Sequence, residues 1–433
     1  IYAKNNHNNS ITKDKIAIHN EGTIAVGDKG KGIVIQTKNN TVTNGATLTL
    51  KDSGNSSVRD IKVGNEGIGV YAEYSDIKLI GDYGIIVGNK GVAIQTKGTA
   101  STLTQNSASD ILNVEYKGTV GGGAMAIAYG LDNPTTEFYT NKINLNLINT
   151  NKAKGLTGIY TNSGTKLVNQ GNITTANYGS YGILSDKIDV ENTGKITVGS
   201  TSSTDSSNAI GIYVKNAKLT TDGDKITIEG NGSGTNSPVG IFAKSDNNLN
   251  TVKDIIINQG TNALTINGKK GIGIFVEDGS SGNNKLKLIN SSKINLLDSA
   301  TKSDRKIAIM LKNTRNTDNL TSEKIVVGKN NIGIYNDSSI ITHTGTLEVK
   351  HNEAGTENIG THNTGNGFKF IVKKVGTKPG LVDVEGQNGT IGISAVTGAA
   401  GSGEISLIDA TFNINAPDKD SGKIPLGIYG EGN

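Results

Sequence analysis

The sequence predicts an all-β chain: a right-handed parallel β-helix of about fifteen rungs, each of roughly 24–35 residues. Three observations carry that prediction. A string of the type Ile-Gly-Ile-Tyr recurs along the chain, two further strand-like pieces lie between successive copies, and the composition is too poor in large apolar groups for an ordinary core. Of 433 residues only 34% are hydrophobic and 4% aromatic, with no Trp and 58 Gly. The charged fraction of 19% and the steady alternation of Ile and Val are equally foreign to a disordered chain. A narrow, β-branched interior in a repeating coil satisfies both facts.

The recurring string is clearest in NNIGIYNDSS from Asn330, with variants GIGVYAE from Gly67, AIGIYVK from Ala209 and GIGIFVE from Gly271. Aligning the copies on the residue after the second aliphatic gives fifteen positions. They begin Tyr2, Gln36, Tyr71, Gln95 and end His362, Ser394, Tyr429, with a mean spacing of about 30 residues. The residue before is Ile or Val in fourteen of the fifteen, Thr361 being the exception. The residue two before is Gly or Ala in thirteen of fourteen, Val34 being the exception. Strand alternation puts Ile332 and Ile334 inward, with Gly333 and Tyr335 outward. The ring is then expected to lie across the glycine of a neighbouring rung.

The second and third pieces follow in each copy. After GIY at Gly158 come the turn TNSG, the segment TKLVNQG, then NITT and the turn ANYGSYG. Elsewhere the third piece is KITVG from Lys195, KITIEG from Lys225 or KIVVG from Lys324. Three short alternating segments broken by Asn, Gly, Ser and Asp describe a three-sided coil of parallel strands. Corners such as Asn169, Gln170 and Gly171 are expected to take positive φ and to bond the local backbone. The whole of 1–433 reads as one continuous solenoid. Candidate loop insertions fall at 115–141, 199–208, 229–238, 277–285, 312–322, 353–367 and 397–403.

Composition also narrows the function. The net charge is +4, but Arg occurs only at 59, 305 and 315, and the lysines are scattered singly. Nucleic-acid binding, which favours dense basic stripes, is not expected. The absence of Cys rules out disulfides and thiolate sites. No run of 18 apolar residues offers a membrane helix. The chain starts at Ile1 within a copy of the motif, so it reads as a segment of something longer, with any export signal or anchor outside it.

Few residues invite chemistry. GDKGKG from Gly27 and GNEGIG from Gly64 resemble fragments of a phosphate loop, yet neither has the following helix or the Walker spacing. His343, His351 and His362 match no compact ligand motif, so neither metal nor cofactor is expected. DGD at Asp222 and DKD at Asp418 sit in turn-like text, and DSGN from Asp52 lacks the preceding Gly of a protease nucleophile motif. No enzyme is expected; a carbohydrate-active β-helix is the alternative of that class. The binding candidates are in the longest insertion, where Tyr116, Tyr129, Asp132, Phe138 and Tyr139 could form a ligand-contact patch. The competing reading is that Phe138 and Tyr139 simply cap the interior beneath a loop.

GIYTNSGTKLVNQGNITT, GIYVKNAKLTTDGDKITIEG and NIGIYNDSS resemble the passenger domains of large fusobacterial type V autotransporter adhesins, across essentially the whole chain. The resemblance concerns scaffold repeats and transfers no binding residue. It implies a bacterial outer-membrane protein at the cell surface, a monomeric passenger rod facing outward, and a C-terminal barrel beyond this chain that anchors it. It also implies attachment to a host-cell receptor, either a protein such as an immune receptor or a galactose-type glycan, or to partner bacteria. The sequence expectation is therefore a non-covalent adhesin fragment; a pure spacer within a longer autotransporter is the further alternative.

Overall fold

The computed structural model describes the chain except residues 6–14, 20–22, 38–45, 52–60, 99–101, 119–122, 131–137, 150–154, 176–177, 200–205, 207, 234–235, 247–248, 250, 280–284, 315–316, 321–323, 352–356, 378–379, 387–388, 398–400, 416–424 and 433. It comprises two units, Ile1–Ala217 and Lys218–Asn433. Each unit is a parallel β-helix in which every rung contributes one strand to each of three faces. Among the described residues the first unit has eight strands on its first face and seven on each other face, and the second unit has seven on every face. Helical backbone is confined there to two 3₁₀ turns, Gly223–Lys225 and Lys302–Asp304.

The strands form where the sequence places aliphatic residues at alternate positions, because only one side of each strand can leave water. In the first unit the inward column of the first face runs Ile33, Val70, Ile94, Ile127, Ile159, Ile183, Ile212, in unbroken register. None of these is more than 1% exposed. The second unit repeats the column as Ile241, Ile274, Ile309, Ile334, Thr361, Ile393. Full burial of such a side chain contributes about 1.5–3 kcal/mol, so a stack of them offsets much of the ordering cost of a thin body.

Three expectations about the motif need correcting. Gly333 lies inside. A Cβ built on it would meet the carbonyl oxygen of Gly360 at 2.6 Å, Val327 Cγ2 at 2.8 Å and Leu347 Cδ1 at 3.0 Å. Ladder pairing skips this residue, since Ile332 pairs with Ile307 and Ile334 with Ile309. Ile332, Gly333 and Ile334 are all buried at the start of the first-face strand, so simple alternation fails for one step. Glycine is needed because the next rung's backbone and third-face side chains already occupy the Cβ position.

The second correction concerns register. Val34, not Gln36, pairs with both Tyr2 and Tyr71. Gly32 thereby takes the glycine position, its built Cβ 2.8 Å from the carbonyl oxygen of Gly69. The apparent exception at Val34 was a two-residue misalignment, which extended strands disguise because a shift of two keeps the same face.

Third, Asn169 and Gly171 have no positive φ. Asn169 is fully buried and its amide donates to the Gly171 carbonyl at 2.9 Å, so local bonding holds without the left-handed backbone. Left-handed residues flank the first face instead: Lys29, Glu66, Lys90, Lys270 and Asn330 at the corner before it, and Tyr74, Lys187, Asn216, Asn313 and Ser338 directly after its strands. At the corner before the first face the turns are stacked. There the Asp28 carboxylate accepts the Asn65 N–H at 2.7 Å and the Asn65 side chain accepts the Asn89 N–H at 2.9 Å. GDKGKG and GNEGIG are thus successive stacked turns, tied rung to rung.

Candidate binding surface

The patch expected from the long insertion does not assemble as a surface among the described residues. Tyr116 is 1% exposed, while Tyr129 and Tyr139 are fully buried. The Tyr116 hydroxyl donates to Asn89 Oδ1 at 2.7 Å. Tyr129 and Tyr139 pack ring to ring with centroids 4.8 Å apart, and the Tyr129 hydroxyl reaches the Thr140 carbonyl at 3.4 Å. Burial, followed by the neighbouring Tyr139, holds the Tyr129 phenol well above its ordinary pKa. These three rings belong to the interior, and Tyr129 and Tyr139 share a rung whose first strand carries the small residues Ala124, Ala126 and Ala128. Phe138 alone faces out, 48% exposed, with the Lys166 ammonium 5.8 Å from its ring centre. Asp132 lies outside the described residues.

The histidines separate as well. His343 is fully buried on the second face, stacked near Phe370 at 6.4 Å, and burial lowers its pKa to about 4. His362 is half-buried on the first face beside Tyr335, at 5.3 Å. The side chain of His351 is outside the description. Among the described residues no group of three His, Asp or Glu side chains is placed to hold a metal ion.

The surface that does assemble is the outer side of the first face in the second unit. Strands Val239–Lys244, Ile272–Glu277, Ile307–Lys312, Ile332–Asp337 and Asn358–Thr364 lie side by side. Their register aligns Phe242, Phe275, Met310, Tyr335 and His362 in one half-buried column. Phe242 and Phe275 are stacked at 4.5 Å with planes only 9° apart. Rings so stacked turn their faces to each other and their C–H edges to solvent.

Two residues along, a second column reads Lys244, Glu277, Lys312, Asp337. Glu277 receives Lys244 at 3.1 Å and Lys312 at 3.2 Å. Burial pushes the Glu277 carboxyl up, but the two ammonium groups outweigh it and hold its pKa below the ordinary value. Beside this clasp is a polar hollow of about 310 Å³ reaching Ser245, Asp246 and Asp278. Asp278 is buried and accepts the N–H groups of Gly279 at 2.9 Å, Lys285 at 2.6 Å and Leu286 at 3.2 Å, besides the Ser245 hydroxyl. Its carboxylate clamps both ends of the 277–285 insertion and is consumed by that role.

The first unit uses the same positions differently. Tyr71 and Gln95 are buried at 8% and 6% exposure, and the Lys31 ammonium covers the Tyr71 ring at 4.1 Å. Val34 near one end and Tyr160, Leu184 and Tyr213 near the other present half-buried apolar groups, and between them the column is buried. Sequence reasoning treated the aligned column as scaffold and therefore missed the strip. The available signal was the run Phe242, Phe275, Met310, Tyr335, four large side chains at consecutive copies.

No protein-family model matches the chain, and no curated protein or solved structure does.

Proposed function

We propose that the protein is a segment of a bacterial surface adhesin, a β-helical scaffold that binds a host-cell receptor or a partner bacterium without covalent chemistry. The observation that supports this reading is the ordered outer strip of the second unit. Four large apolar side chains and a column of alternating charge, with Glu277 clasped by Lys244 and Lys312, are held on a sheet whose inward positions are already used by the core. A sheet fixes its side chains before a partner arrives, which lowers the ordering cost of binding. Aromatic rings flanked by satisfied charges are also the composition of contact centres between proteins. The wider expectation of an outer-membrane passenger rests on the sequence resemblance.

The test is binding of the whole chain to host epithelial cells and to partner bacteria, with and without competing simple sugars. The double variant Phe275→Ala with Tyr335→Ala is expected to lower binding by about tenfold or more. Phe138→Ala in the first unit is expected to leave it nearly unchanged. Absence of binding to every cell type would return the chain to a spacer role. New reducing or unsaturated ends on surface polysaccharides would instead make it an enzyme.

A further inference from the structure

We propose that the partner of this strip is a second copy of the chain, packed face to face and antiparallel; the assignment rests on reading the strip as a contact surface. The order of the charges on this face points to that partner. Along the rungs the column reads Lys244, Glu277, Lys312, Asp337, alternating plus and minus over four successive strands. An even alternating series becomes its own complement when reversed.

A two-fold axis lying in the interface along the strand direction, midway between the rungs of Glu277 and Lys312, produces that reversal. Lys244 then faces Asp337 of the other copy, and Glu277 faces Lys312. The same axis keeps strand direction, so the apolar column meets the apolar column, Phe242 opposite Tyr335 and Phe275 opposite Met310. Such a contact is isologous and closes at two copies. Turning the second copy about the coil axis instead would preserve rung order and put each charge column beyond the opposite edge of the apolar one, so it forms none of these pairs.

The chemistry of the exposed atoms favours this occupant over a sugar. The Phe242 and Phe275 rings spend their faces on each other at 4.5 Å, leaving edges, whereas a sugar ring stacks on a free aromatic face. The side chains of Lys244 and Lys312 are 40% and 43% exposed, and an ammonium carries three donors, so each bond to Glu277 leaves donors for a second carboxylate. Four rungs at about 4.8 Å, crossed by six-residue strands at about 3.3 Å per residue, give a face of roughly 380 Å² per copy. A stable complex buries roughly 800 Å² per partner, so the pairing is weak and reversible in solution. Repetition along a surface crowded with anchored chains would raise it by avidity.

The experiment is a charge exchange on the full chain, read by sedimentation velocity over a wide concentration range at low and high salt. Wild type is expected to self-associate, and less so at high salt. E277K sets lysine against lysine across the axis and K312E sets glutamate against glutamate, so each alone is expected to weaken association by about tenfold, two symmetry-related pairs having changed sign. Mixing the two variants restores association, because the lysine introduced by one then meets the glutamate introduced by the other. Thermal unfolding curves verify that both variants fold.

A second measurement does not depend on the charges. The chain has no Cys, so a mixture of F275C and M310C is expected to oxidise to a mixed dimer several-fold faster than either variant alone. A wild type that stays monomeric at every concentration overturns the proposal, as does a mixture of the charge variants that fails to recover. If Phe275→Ala with Tyr335→Ala abolishes cell binding in a chain that never self-associates, the self-pairing falls and the adhesin reading stands. Self-association with no cell binding leaves the reverse.

Discussion

His343 concentrates what the interior of this fold tolerates. Its imidazole is fully buried, neither ring nitrogen has a partner among the described residues, and its register neighbour Val372 is fully buried too. Burial is the cause of a pKa near 4. The folded chain therefore holds the ring neutral where the unfolded chain, titrating near 6.5, has already taken up a proton. The unfolded state binds more protons between those two values. Stability is thus full above about pH 6.5, declines as pH falls towards 4, and loses nothing more from this group below that. A gap of about 2.5 pKa units corresponds to roughly 3 kcal/mol. His343→Leu places an apolar side chain without a titrating group at this position and is expected to remove most of that loss. Urea unfolding of both proteins at pH 7 and pH 4.5 measures it. Equal pH sensitivity in the two would show that the ring is not buried as described.

At the scale of the element, the unit of construction is a column of identical positions crossing several strands. The buried ladder of Asn141, Asn169 and Asn192 shows this on the second face of the first unit. Asn141 donates to Asn169 Oδ1 at 2.8 Å, and Asn169 donates to Asn192 Oδ1 at 2.7 Å. Each amide also donates to the carbonyl two residues on, at Ile143, Gly171 and Gly194, with distances of 3.0, 2.9 and 2.9 Å. One side chain thus satisfies a corner carbonyl and fixes the register of the next rung. Asn169→Ala removes the acceptor used by Asn141, the donor used by Asn192 and the donor to Gly171. The cost expected from such losses in the interior is about 2–4 kcal/mol. Denaturant unfolding checks this; a loss below about 1 kcal/mol would mean that water replaces the ladder.

For the whole molecule, solenoid energetics predict locality. Each rung contacts mainly its neighbours, so stability is close to a sum of rung and nearest-neighbour terms. Asn169→Ala should speed hydrogen exchange in Tyr139, Leu167, Val190 and adjacent strand residues of the first unit while leaving strands near Ile334 protected. His343→Leu at low pH should do the converse, slowing exchange in the second unit only. Exchange that changes across both units together would instead reveal a single cooperative transition. The charge pattern is local in the same sense. The net charge of +4 says little, whereas the order of four charged residues on one face decides what that face can meet.

The sequence by itself determined the repeat, its three strands per rung and the aliphatic columns, because a parallel coil requires β-branched residues at alternate positions and turn formers between them, and both are local demands. Only the tertiary structure decided which residues face where at the corners. Gly333 is internal, with the Gly360 carbonyl of the next rung and the third-face side chains of Val327 and Leu347 where its Cβ would be, and those neighbours are set by the rungs on either side. Val34 took its place in the aligned column because ladder pairing, unlike a text alignment, resolves a shift of two residues. Tyr116, Tyr129 and Tyr139 looked available in a long insertion, yet burial depends on which rungs lie above and below, and that is invisible along the chain. The strip from Phe242 to Tyr335 was written in the sequence as isolated letters about thirty residues apart. It became a surface only when parallel pairing brought them side by side.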